Sequence, residues 1–395
     1  MKVRSATQLG FLVTVAWCLG SALWAQSGSP GIAVGGASTG MSDASQICFA
    51  NGTFLVTGRD LHTAPGGTTA TSPDGLHWTV HTVSNSVSIG VNRGTSGRSN
   101  NFVAFGCDGP APTNGLIQFS PDGVVWGEPV TIPSTPINGV AYDQGTYVAV
   151  GESGGAAAVV TSADGVHWNT RTFPGNGPLY SIATGGGTFV AVGDSGVIVT
   201  STNGSDWQAR VVLPGATLYS VAYGMGMFVA VAPQTATFLN ILTSTNGMDW
   251  AVAESRSLVS VAYGNGLFVG VSDNIDVSTN VVDWTTVWLH RGAEVGLGGV
   301  AYGAGTFCIL VAGAGGVFTV RPLAFLGWAG ETNGVVNLAL TGGWLGQSCR
   351  LQAATNLPAT DWVDLLTFTN QGSVTPIQDV GASNYSQRFY RVEMP

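Results

Sequence analysis

Carboxylates recur at one place in a repeated sequence pattern. Seven apolar runs are each marked by one aromatic residue: Phe54, Phe102, Tyr147, Phe189, Phe228, Phe268 and Phe307. In five of the seven runs an acidic residue follows the aromatic by five or six positions: Asp60, Asp108, Glu152, Asp194 and Asp273. Acidic groups gathered at one end of a fold can bind a cation, sugar hydroxyls or a basic partner, and two at a suitable spacing can cleave a glycosidic bond. Asp also favours turns for local reasons, so ordinary turn chemistry is the competing interpretation.

Two tyrosines stand close to these acidic positions in the repeat. Tyr180 and Tyr219 each precede an apolar run, and a tyrosine there could offer its ring as a stacking surface for a ligand. The competing interpretation places both rings in the core. The hypothesis for binding therefore comprises these two tyrosines together with the five acids.

Other catalytic chemistry is missing from the sequence. There is no Gly-x-Ser-x-Gly elbow, HExxH pair or EF-hand loop. The only lysine is Lys2, so a chain without its first residues has neither a Schiff-base lysine nor a P-loop lysine. Four cysteines after the first segment are scattered without metal-ligand spacing: Cys48, Cys107, Cys308 and Cys349. The sequence predicts no catalytic residue, metal or cofactor, and in an oxidising compartment Cys48 and Cys308 are the candidates to pair.

The charge of the chain limits its partners. It has 13 basic and 22 acidic residues, a formal net charge of -9, and charged residues make up 9% of the sequence. Nucleic acid and anionic lipid need clustered basic side chains, so both are excluded as partners. The apolar runs of the body are strand-sized, so no transmembrane segment is expected in the mature chain. We expect a monomer.

The spacing of the aromatics indicates the architecture that positions these residues. The seven aromatics are separated by 48, 45, 42, 39, 40 and 39 residues. A period near 40 with four short strands per copy is typical of the blades of a β-propeller. The strand before the aromatic recurs as Val-Ala-Tyr, at 140–142, 221–223, 261–263 and 300–302. The sequence therefore predicts an all-β fold with a seven-bladed β-propeller over residues 30–320.

A second signature lies at the end of the third strand. Six copies place a Ser six residues before a Trp, with Asp-Gly or Asn-Gly between them in the first five. Such dipeptides form tight hairpin turns, and Ser and Asp side chains can bond the turn amides. The sixth copy has Val281 in place of Gly, which predicts an altered turn. The tryptophans are predicted to be structural: Trp78, Trp126, Trp168, Trp207, Trp250 and Trp284.

This signature resembles the Asp-box, or bacterial neuraminidase repeat, of sialidase-like propellers. It departs from the usual pattern because Gly follows Asp directly and Trp comes one residue early. In that family the box is a structural hairpin on the side away from the ligand, so the resemblance implies a fold and no activity. Asp74, Asp122 and Asp164 are accordingly not expected to be catalytic acids.

The two ends of the chain have their own patterns. Residues 1–25 have a basic start and an apolar stretch, which predicts a secretory signal peptide. Residues 31–40 are predicted to complete the seventh blade, which has no Trp signature of its own. Residues 323–395 alternate short apolar runs with turns, which predicts a small β-sandwich-like module. Their LQAATNLPATDWVDL and terminal RFYRVEMP resemble a C-terminal module of secreted bacterial repeat proteins, which implies no defined activity. The module could serve for anchoring or display at the cell surface, or it could be a stabilising sandwich alone.

Two classes of function are compatible with this sequence. The first is a secreted, non-catalytic propeller that binds a glycan or protein partner at the cell surface, and the lack of a catalytic constellation favours it. The second is a glycan-cleaving hydrolase or lyase that uses acidic residues in the central funnel. In a propeller blade the turn after strand two and the link to the next blade lie on one face, so the acids are predicted to share that face.

Overall fold

A computed structural model describes most of the chain after residue 31. The described residues are 32–41, 44–58, 68–82, 91–98, 101–107, 113–174, 176–233, 241–288, 297–311, 316–322, 324–332, 335–342, 348–355, 362–369, 374–381 and 389–393. The predicted signal peptide lies outside them. Within these ranges the structure has no helix that is long and apolar enough to cross a membrane.

Almost all regular structure in the described ranges is β-strand, interrupted by one short 3-10 turn at Asp194–Gly196. The strands in chain order are β1 (Ile32–Ser38), β2 (Ala44–Ala50), β3 (Thr53–Gly58), β4 (Thr68–Ser72), β5 (Thr79–Thr82), β6 (Val91–Arg98), β7 (Asn101–Cys107), β8 (Gly115–Ser120), β9 (Val130–Ile132), β10 (Ile137–Asp143), β11 (Thr146–Ser153), β12 (Ala156–Ser162), β13 (Asn169–Phe173), β14 (Leu179–Gly185), β15 (Thr188–Gly193), β16 (Val197–Ser201), β17 (Gln208–Val211), β18 (Ser220–Gly224), β19 (Met227–Val231), β20 (Ile241–Ser244), β21 (Ala251–Glu254), β22 (Ser260–Gly264), β23 (Leu267–Val271), β24 (Ile275–Ser278), β25 (Thr285–Trp288), β26 (Leu297–Gly303), β27 (Thr306–Val311), β28 (Gly316–Pro322), β29 (Ala324–Thr332), β30 (Val335–Gly342), β31 (Ser348–Ala354), β32 (Val363–Thr369), β33 (Val374–Asp379) and β34 (Phe389–Glu393).

The first 28 strands form seven four-stranded sheets, which are the blades of a propeller. Six blades are consecutive strands, from β2 to β5 in blade one through β22 to β25 in blade six. Blade seven has the order β1, β28, β27, β26, so the strand nearest the N-terminus supplies its fourth strand. The predicted seven-bladed all-β propeller is confirmed, and so is its closure by residues 31–40. This arrangement removes the long sheet edge that β28 would otherwise expose.

The connections divide the propeller into two faces. We call the face with the turns after strands one and three of each blade the hairpin face. We call the opposite face, with the turns after strand two and the links between blades, the loop face. The turns after strand one have two residues in all seven blades, for example 186–187 and 225–226. The hairpin face is therefore built from nearly identical turns.

Adjacent blades are held together by an aromatic ring that packs on a glycine. The ring comes from the first strand of one blade and lies against the first strand of the preceding blade. A β-carbon on the glycine would lie only 1.9 to 2.1 Å from that ring. The pairs are Gly185 with Tyr223, Gly224 with Tyr263, Gly264 with Tyr302, and Gly303 with Phe49. The last pair joins blade seven to blade one, so ring closure uses the same contact as the interior of the ring.

Two interfaces replace both members of this pair: one lies between blades one and two, where Ala50 and Gly97 stand, and the other lies between blades three and four. Asp143 stands in β10 where glycine stands in the later blades, and Thr184 stands in β14 at the aromatic position. The strand registers establish the equivalence, because Tyr142 pairs with Tyr147 and Thr184 pairs with Phe189 just as Tyr223 pairs with Phe228. A larger residue on one side is therefore matched by a smaller one on the other, as close packing requires.

The core lies between the blades, and the rings of the signature tryptophans pack in it. Trp207 of blade four is in a cluster with Val148 and Val150 of blade three, and Trp284 of blade six is in a cluster with Val229 of blade five. Each of the six indole Nε1 groups also donates a hydrogen bond to the carbonyl three residues earlier, at 2.9 to 3.3 Å. Each Trp is thus fixed by its own turn while its ring fills the gap to the preceding blade.

The sixth hairpin corrects one expectation from the sequence. Val281 was expected to alter the turn, yet Ser278 Oγ accepts from the Val281 amide at 2.9 Å and Trp284 Nε1 donates to the Val281 carbonyl at 3.0 Å. The turn is kept because Val281 adopts a φ of 62°, which is unfavourable for a β-branched residue. Its side chain is buried in the core between blades five and six, and that burial offsets the backbone strain.

The cysteines predicted as a possible pair pack in separate parts of the core. Cys48 is in a cluster with Leu55 and Phe102, whereas Cys308 is in a cluster with Phe54. The Cys308 side chain fills the space beside Gly75, where a β-carbon would come within 2.2 Å of its sulfur. Both cysteines therefore contribute to interblade packing.

The turn after the first strand of blade five contains a strained residue. Met225 has a φ of 53° and its side chain is 46% exposed, so little packing compensates for the left-handed backbone. Asn265 occupies the equivalent position in blade six with a φ of 48°. Because Asn-Gly is favoured in such turns, we expect Met225→Asn to raise the free energy of unfolding by roughly 0.5 to 1 kcal/mol. Chemical denaturation measures this, and Met248→Asn, at an exposed methionine without positive φ, is the control that should not gain.

Residues Arg321–Pro395 form a second compact unit. Strands β29, β30 and β33 form one three-stranded sheet, and β32, β31 and β34 form another. One cluster of apolar side chains comes from both sheets, including Leu338 and Ile377 of the first and Leu351 of the second. The Tyr390 hydroxyl donates to the Asp379 carboxylate at 2.9 Å. The two sheets of this unit therefore share a core.

Candidate binding site on the loop face

The connections on the loop face vary in length, unlike those on the hairpin face. Between strands two and three of a blade there are two residues in blade three (154–155), three in blades four and six (194–196 and 272–274), and nine in blades one and five (59–67 and 232–240). The links between blades range from four residues (133–136) to eight (212–219). Variable loops on a rigid scaffold commonly carry function. The loop face is therefore the place to look for a site.

The links are held close to the ends of the second strands. In blade four the Asp194 amide donates to the Pro178 carbonyl at 2.9 Å, and the Leu218 amide donates to the Gly193 carbonyl at 2.9 Å. A β-carbon on Gly193 would lie 2.1 Å from the Pro178 oxygen, so only glycine admits this approach. These contacts fix the backbone immediately before the first strand of blades four and five.

This anchoring presents the two predicted tyrosines side by side. Tyr180 lies at an irregularity in β14, where the register shifts between Leu179 and Ser181, and Tyr219 directly precedes β18. Their rings stack with centroids 5.4 Å apart and planes 7° apart. Tyr219 is 47% exposed, and its amide donates to the Val231 carbonyl at 3.0 Å. The structure thus brings Tyr180 and Tyr219 together as one stacked pair with an accessible ring.

Asp194 holds the segment that leads to this pair. Its Oδ1 accepts a hydrogen bond from the Thr217 hydroxyl at 2.9 Å, two residues before Tyr219, and its Oδ2 accepts from the Ser195 hydroxyl at 3.3 Å. Ser195 has a φ of 53°, so the turn itself is strained. Asp194 can therefore act through the position of Tyr219 as well as through its charge.

The other predicted acids are distributed around the same face. Glu152 is half-buried at the end of β11, where its amide donates to the Pro136 carbonyl at 3.3 Å. Asp273 is exposed in the short turn between β23 and β24. Asp60 and Asp108 lie outside the described residues. Each described acid belongs to a different blade, so the acids surround the mouth of the ring instead of forming one cluster.

The seven-bladed arrangement has solved counterparts. The chain is similar in fold to YCF48. YCF48 from Cyanidioschyzon merolae superimposes with a TM-score of 0.51 at 12% identity over 72% of this chain and 98% of that chain. A structure of YCF48 bound to D1 peptide gives 0.54 at 14% identity over 76% and 97%. The WD40 domain of Pan2 from Neurospora crassa gives 0.56 at 8% identity over 75% and 97%.

These identities establish the propeller fold alone. No protein-family model and no curated protein sequence matches this chain. The relatives are YCF48 and WD40 propellers, so the predicted resemblance is confirmed at the level of the propeller. A closer relation to Asp-box proteins stays a prediction.

On the hairpin face, the signature turns contain a pairing that the sequence reasoning missed. In boxes one and three an Asp accepts from a His three residues later, with 2.7 Å between His Nδ1 and Asp Oδ2. In boxes four to six an Asn takes the place of that Asp and donates to a later Asp at 2.8 to 2.9 Å. The signal was available as two positions that change together across the repeats. It explains why His77 and His167 stand just before a signature Trp.

The aspartates of these boxes are strongly held in their ionised form. At Asp74, burial raises the pKa, but hydrogen bonds from His77, Leu76 and Ser72 outweigh it and hold the pKa well below its usual range. At Asp164 the His167 ring and nearby amides lower the pKa in the same way. The pKa of Asp122 is also lowered, because hydrogen bonds from Val125 and Val124 outweigh the effect of burial. Their low pKa has a structural cause in the turn.

The lowered pKa values predict how the propeller responds to acid. A carboxylate with a depressed folded pKa stabilises the fold above its unfolded pKa, and this contribution is lost as pH falls below about 4. We expect the melting temperature of a variant with Asp74→Asn, Asp122→Asn and Asp164→Asn to fall less between pH 5 and pH 2 than that of the wild type. Asn already serves in boxes four to six, so the turns should survive at neutral pH. If the melting temperatures of the variant and the wild type fell by the same amount between pH 5 and pH 2, this prediction would be wrong.

A buried ion pair lies where the link from blade five enters blade six. Asp276 is in β24 with its side chain 3% exposed, and its Oδ1 accepts from Arg256 Nη1 and from the Thr286 hydroxyl, each at 2.5 Å. Arg256 also donates to the Trp284 carbonyl at 2.9 Å and to Glu254 at 3.3 Å. Arg256 thereby fixes the link before Val259 to the outer strands of blade six.

Proposed function

We propose that this protein is an exported, non-catalytic propeller that binds a segment of a partner protein on its loop face. The observation that carries the proposal is the contrast between the faces. The turns after strand one on the hairpin face all have two residues, whereas the loop face contains connections of two to nine residues and the stacked pair of Tyr180 and Tyr219, of which Tyr219 is 47% exposed. Rigid aromatic surfaces of this kind are common anchors in protein interfaces.

Other findings support the proposal. The turns between strands two and three have only two residues in blade three and three residues in blade four, the blades whose links lead to Tyr180 and Tyr219. The similarity to a propeller whose structure was determined bound to a peptide is consistent with this mode of use. The N-terminal pattern of residues 1–25 supports export, and the Ser-to-Trp hairpins support a relation to Asp-box propellers.

Selection from a displayed library of random peptides tests this function. We expect selected peptides to bind the wild type, to bind Tyr219→Ala at least tenfold more weakly because a central aromatic anchor is lost, and to bind Val125→Ala as they bind the wild type. Val125 is 63% exposed on the hairpin face and is the matched control. Equal binding to both variants would contradict the proposed site.

The other functions predicted from the sequence give different results in parallel assays. If the protein bound to a glycan array and the library yielded no binding peptide, the result would favour a carbohydrate-binding propeller. Release of reducing ends from polysaccharides, abolished by Glu152→Gln with Asp194→Asn, would establish the hydrolase or lyase. The peptide-binding proposal predicts neither result.

A further inference from the structure

The stacked tyrosines belong to a series of equivalent positions around the mouth of the loop face. Each position lies four residues before the residue of the inner strand that pairs with the strand-two aromatic of its blade. From blade three to blade seven the residues are Asn138, Tyr180, Tyr219, Val259 and Gly298. The series is therefore aromatic in blades four and five and small in blades six and seven.

The stack ends abruptly at this change of size. Tyr180 covers one face of Tyr219, and the next two positions carry only a valine and a glycine. Tyr219 remains 47% exposed although Tyr180 covers one face of its ring. A planar group placed beside the other face would continue the stack, and the chain supplies none at the equivalent position.

A carboxylate borders the same gap. The Val259 amide donates to the Val271 carbonyl at 2.7 Å, and the Leu297 amide, one residue before Gly298, donates to the Ser272 carbonyl at 3.0 Å. Asp273 is the next residue and is exposed. Asp273 thus directly follows the two residues whose carbonyls accept from Val259 and from the residue before Gly298.

The arginine in the link before Val259 is already engaged elsewhere. Arg256 lies three residues before Val259, but its guanidinium bonds Asp276, the Thr286 hydroxyl and the Trp284 carbonyl in the outer part of blade six. Glu254 is its further partner at 3.3 Å. Arg256 is therefore oriented toward the outer strands, and Asp273 is left to face a partner.

We propose that the gap beside Tyr219 receives an arginine side chain of the partner protein, stacked on the Tyr219 ring and paired with the Asp273 carboxylate. This inference rests on the proposed function. A guanidinium is flat, stacks on aromatic faces and donates two parallel hydrogen bonds to a carboxylate, whereas an ammonium is not planar and has no such pair of parallel donors. The net charge of -9 also favours a cationic segment, because opposite charges on two partners attract.

Two displayed peptide libraries that differ only in whether arginine is encoded test the inference. Lysine is present in both, so total positive charge can be matched. We expect strong binders from the arginine library alone, and we expect replacement of their arginine by citrulline, or Asp273→Asn in the protein, to weaken binding roughly tenfold. Equally strong binders from the library without arginine would overturn the inference.

A variant that fills the gap gives a second, independent test. Val259→Tyr would continue the stack with a ring of the chain's own, so we expect peptides from the arginine library to bind it at least tenfold more weakly with an unchanged melting temperature. Val252→Tyr, at a 56% exposed position on β21, is the control that should bind normally. Undiminished binding to a folded Val259→Tyr variant would overturn the proposed position of the arginine.

The outcomes separate this inference from the proposed function. Binders from both libraries that lose affinity with Tyr219→Ala would leave the peptide-binding function in place and remove the arginine. Binders from neither library would remove both.

Discussion

Replacement of Arg256 by Ala is expected to lower the free energy of unfolding by about 3 to 5 kcal/mol, as removal of one partner from a buried ion pair does. Asp276 is 3% exposed and relies on Arg256 and Thr286 for its hydrogen bonds to Oδ1. Without the guanidinium its carboxylate would be left in the core without its charged partner. Urea denaturation at neutral pH measures the loss.

A double variant isolates the reason for this loss. Val199 occupies the position of Asp276 in blade four, because Val199 pairs with Ala191 as Asp276 pairs with Gly270. We expect Arg256→Met with Asp276→Val to recover part of the stability, since the apolar pair removes the buried charge of Asp276 and leaves only the partly buried Glu254 without its cation. If the double variant were as unstable as Arg256→Ala, the loss would come from packing of the arginine stem and the electrostatic explanation would be wrong.

Gly303→Ala is expected to destabilise the propeller by about 3 kcal/mol through overpacking at the closure of the ring. The added methyl would lie 1.9 Å from the ring of Phe49, which is itself packed against Phe54 with centroids 4.7 Å apart. The ring cannot withdraw without disturbing that pair. Thermal or chemical denaturation will show the effect.

Two comparisons make this prediction specific. Gly298→Ala lies in the same strand, and its β-carbon would meet nothing closer than 3.8 Å, so it should cost little. Gly303→Ala combined with Phe49→Thr copies the natural pair of Asp143 and Thr184, and it should lose less stability than the sum of its two single changes. Strict additivity would mean that the two residues do not compete for the same space.

Local signals in the sequence predicted the fold well. The 40-residue period, the Val-Ala-Tyr strands and the Ser-to-Trp hairpins recur from repeat to repeat, so they are visible when the copies are compared, and the structure contains the seven blades that they imply. Closure by β1 was predicted because the seventh repeat has no Trp signature of its own and residues 31–40 precede the first repeat. The expectation that Val281 would alter its turn was wrong, because burial of its side chain offsets the cost of its positive φ.

The candidate site was less accessible to sequence reasoning because its contacts cross between repeats. Tyr180 and Tyr219 were named, but their stacking depends on two links that are fixed by the Asp194 turn. The pairing of Arg256 with Asp276 joins one blade's link to the next blade's third strand, and no motif marks such a contact. Tyr219, Val259 and Gly298 each lie four residues before the tyrosine of an inner strand. An alignment of the repeats on that tyrosine therefore shows the change from a large to a small side chain.

The completion of blade seven by β1 also has a mechanical consequence. Residues 39–43 join β1 to β2 on the loop face, so β1 begins at the hairpin face, where β28 ends. The two ends of the propeller are therefore neighbouring strand ends on the same side. Tension between them would peel β1 from β28 one hydrogen bond at a time, instead of shearing all of the bonds together. Under load the ring should open between β1 and β28, while each of the other six blades keeps its four strands, which are joined by continuous chain.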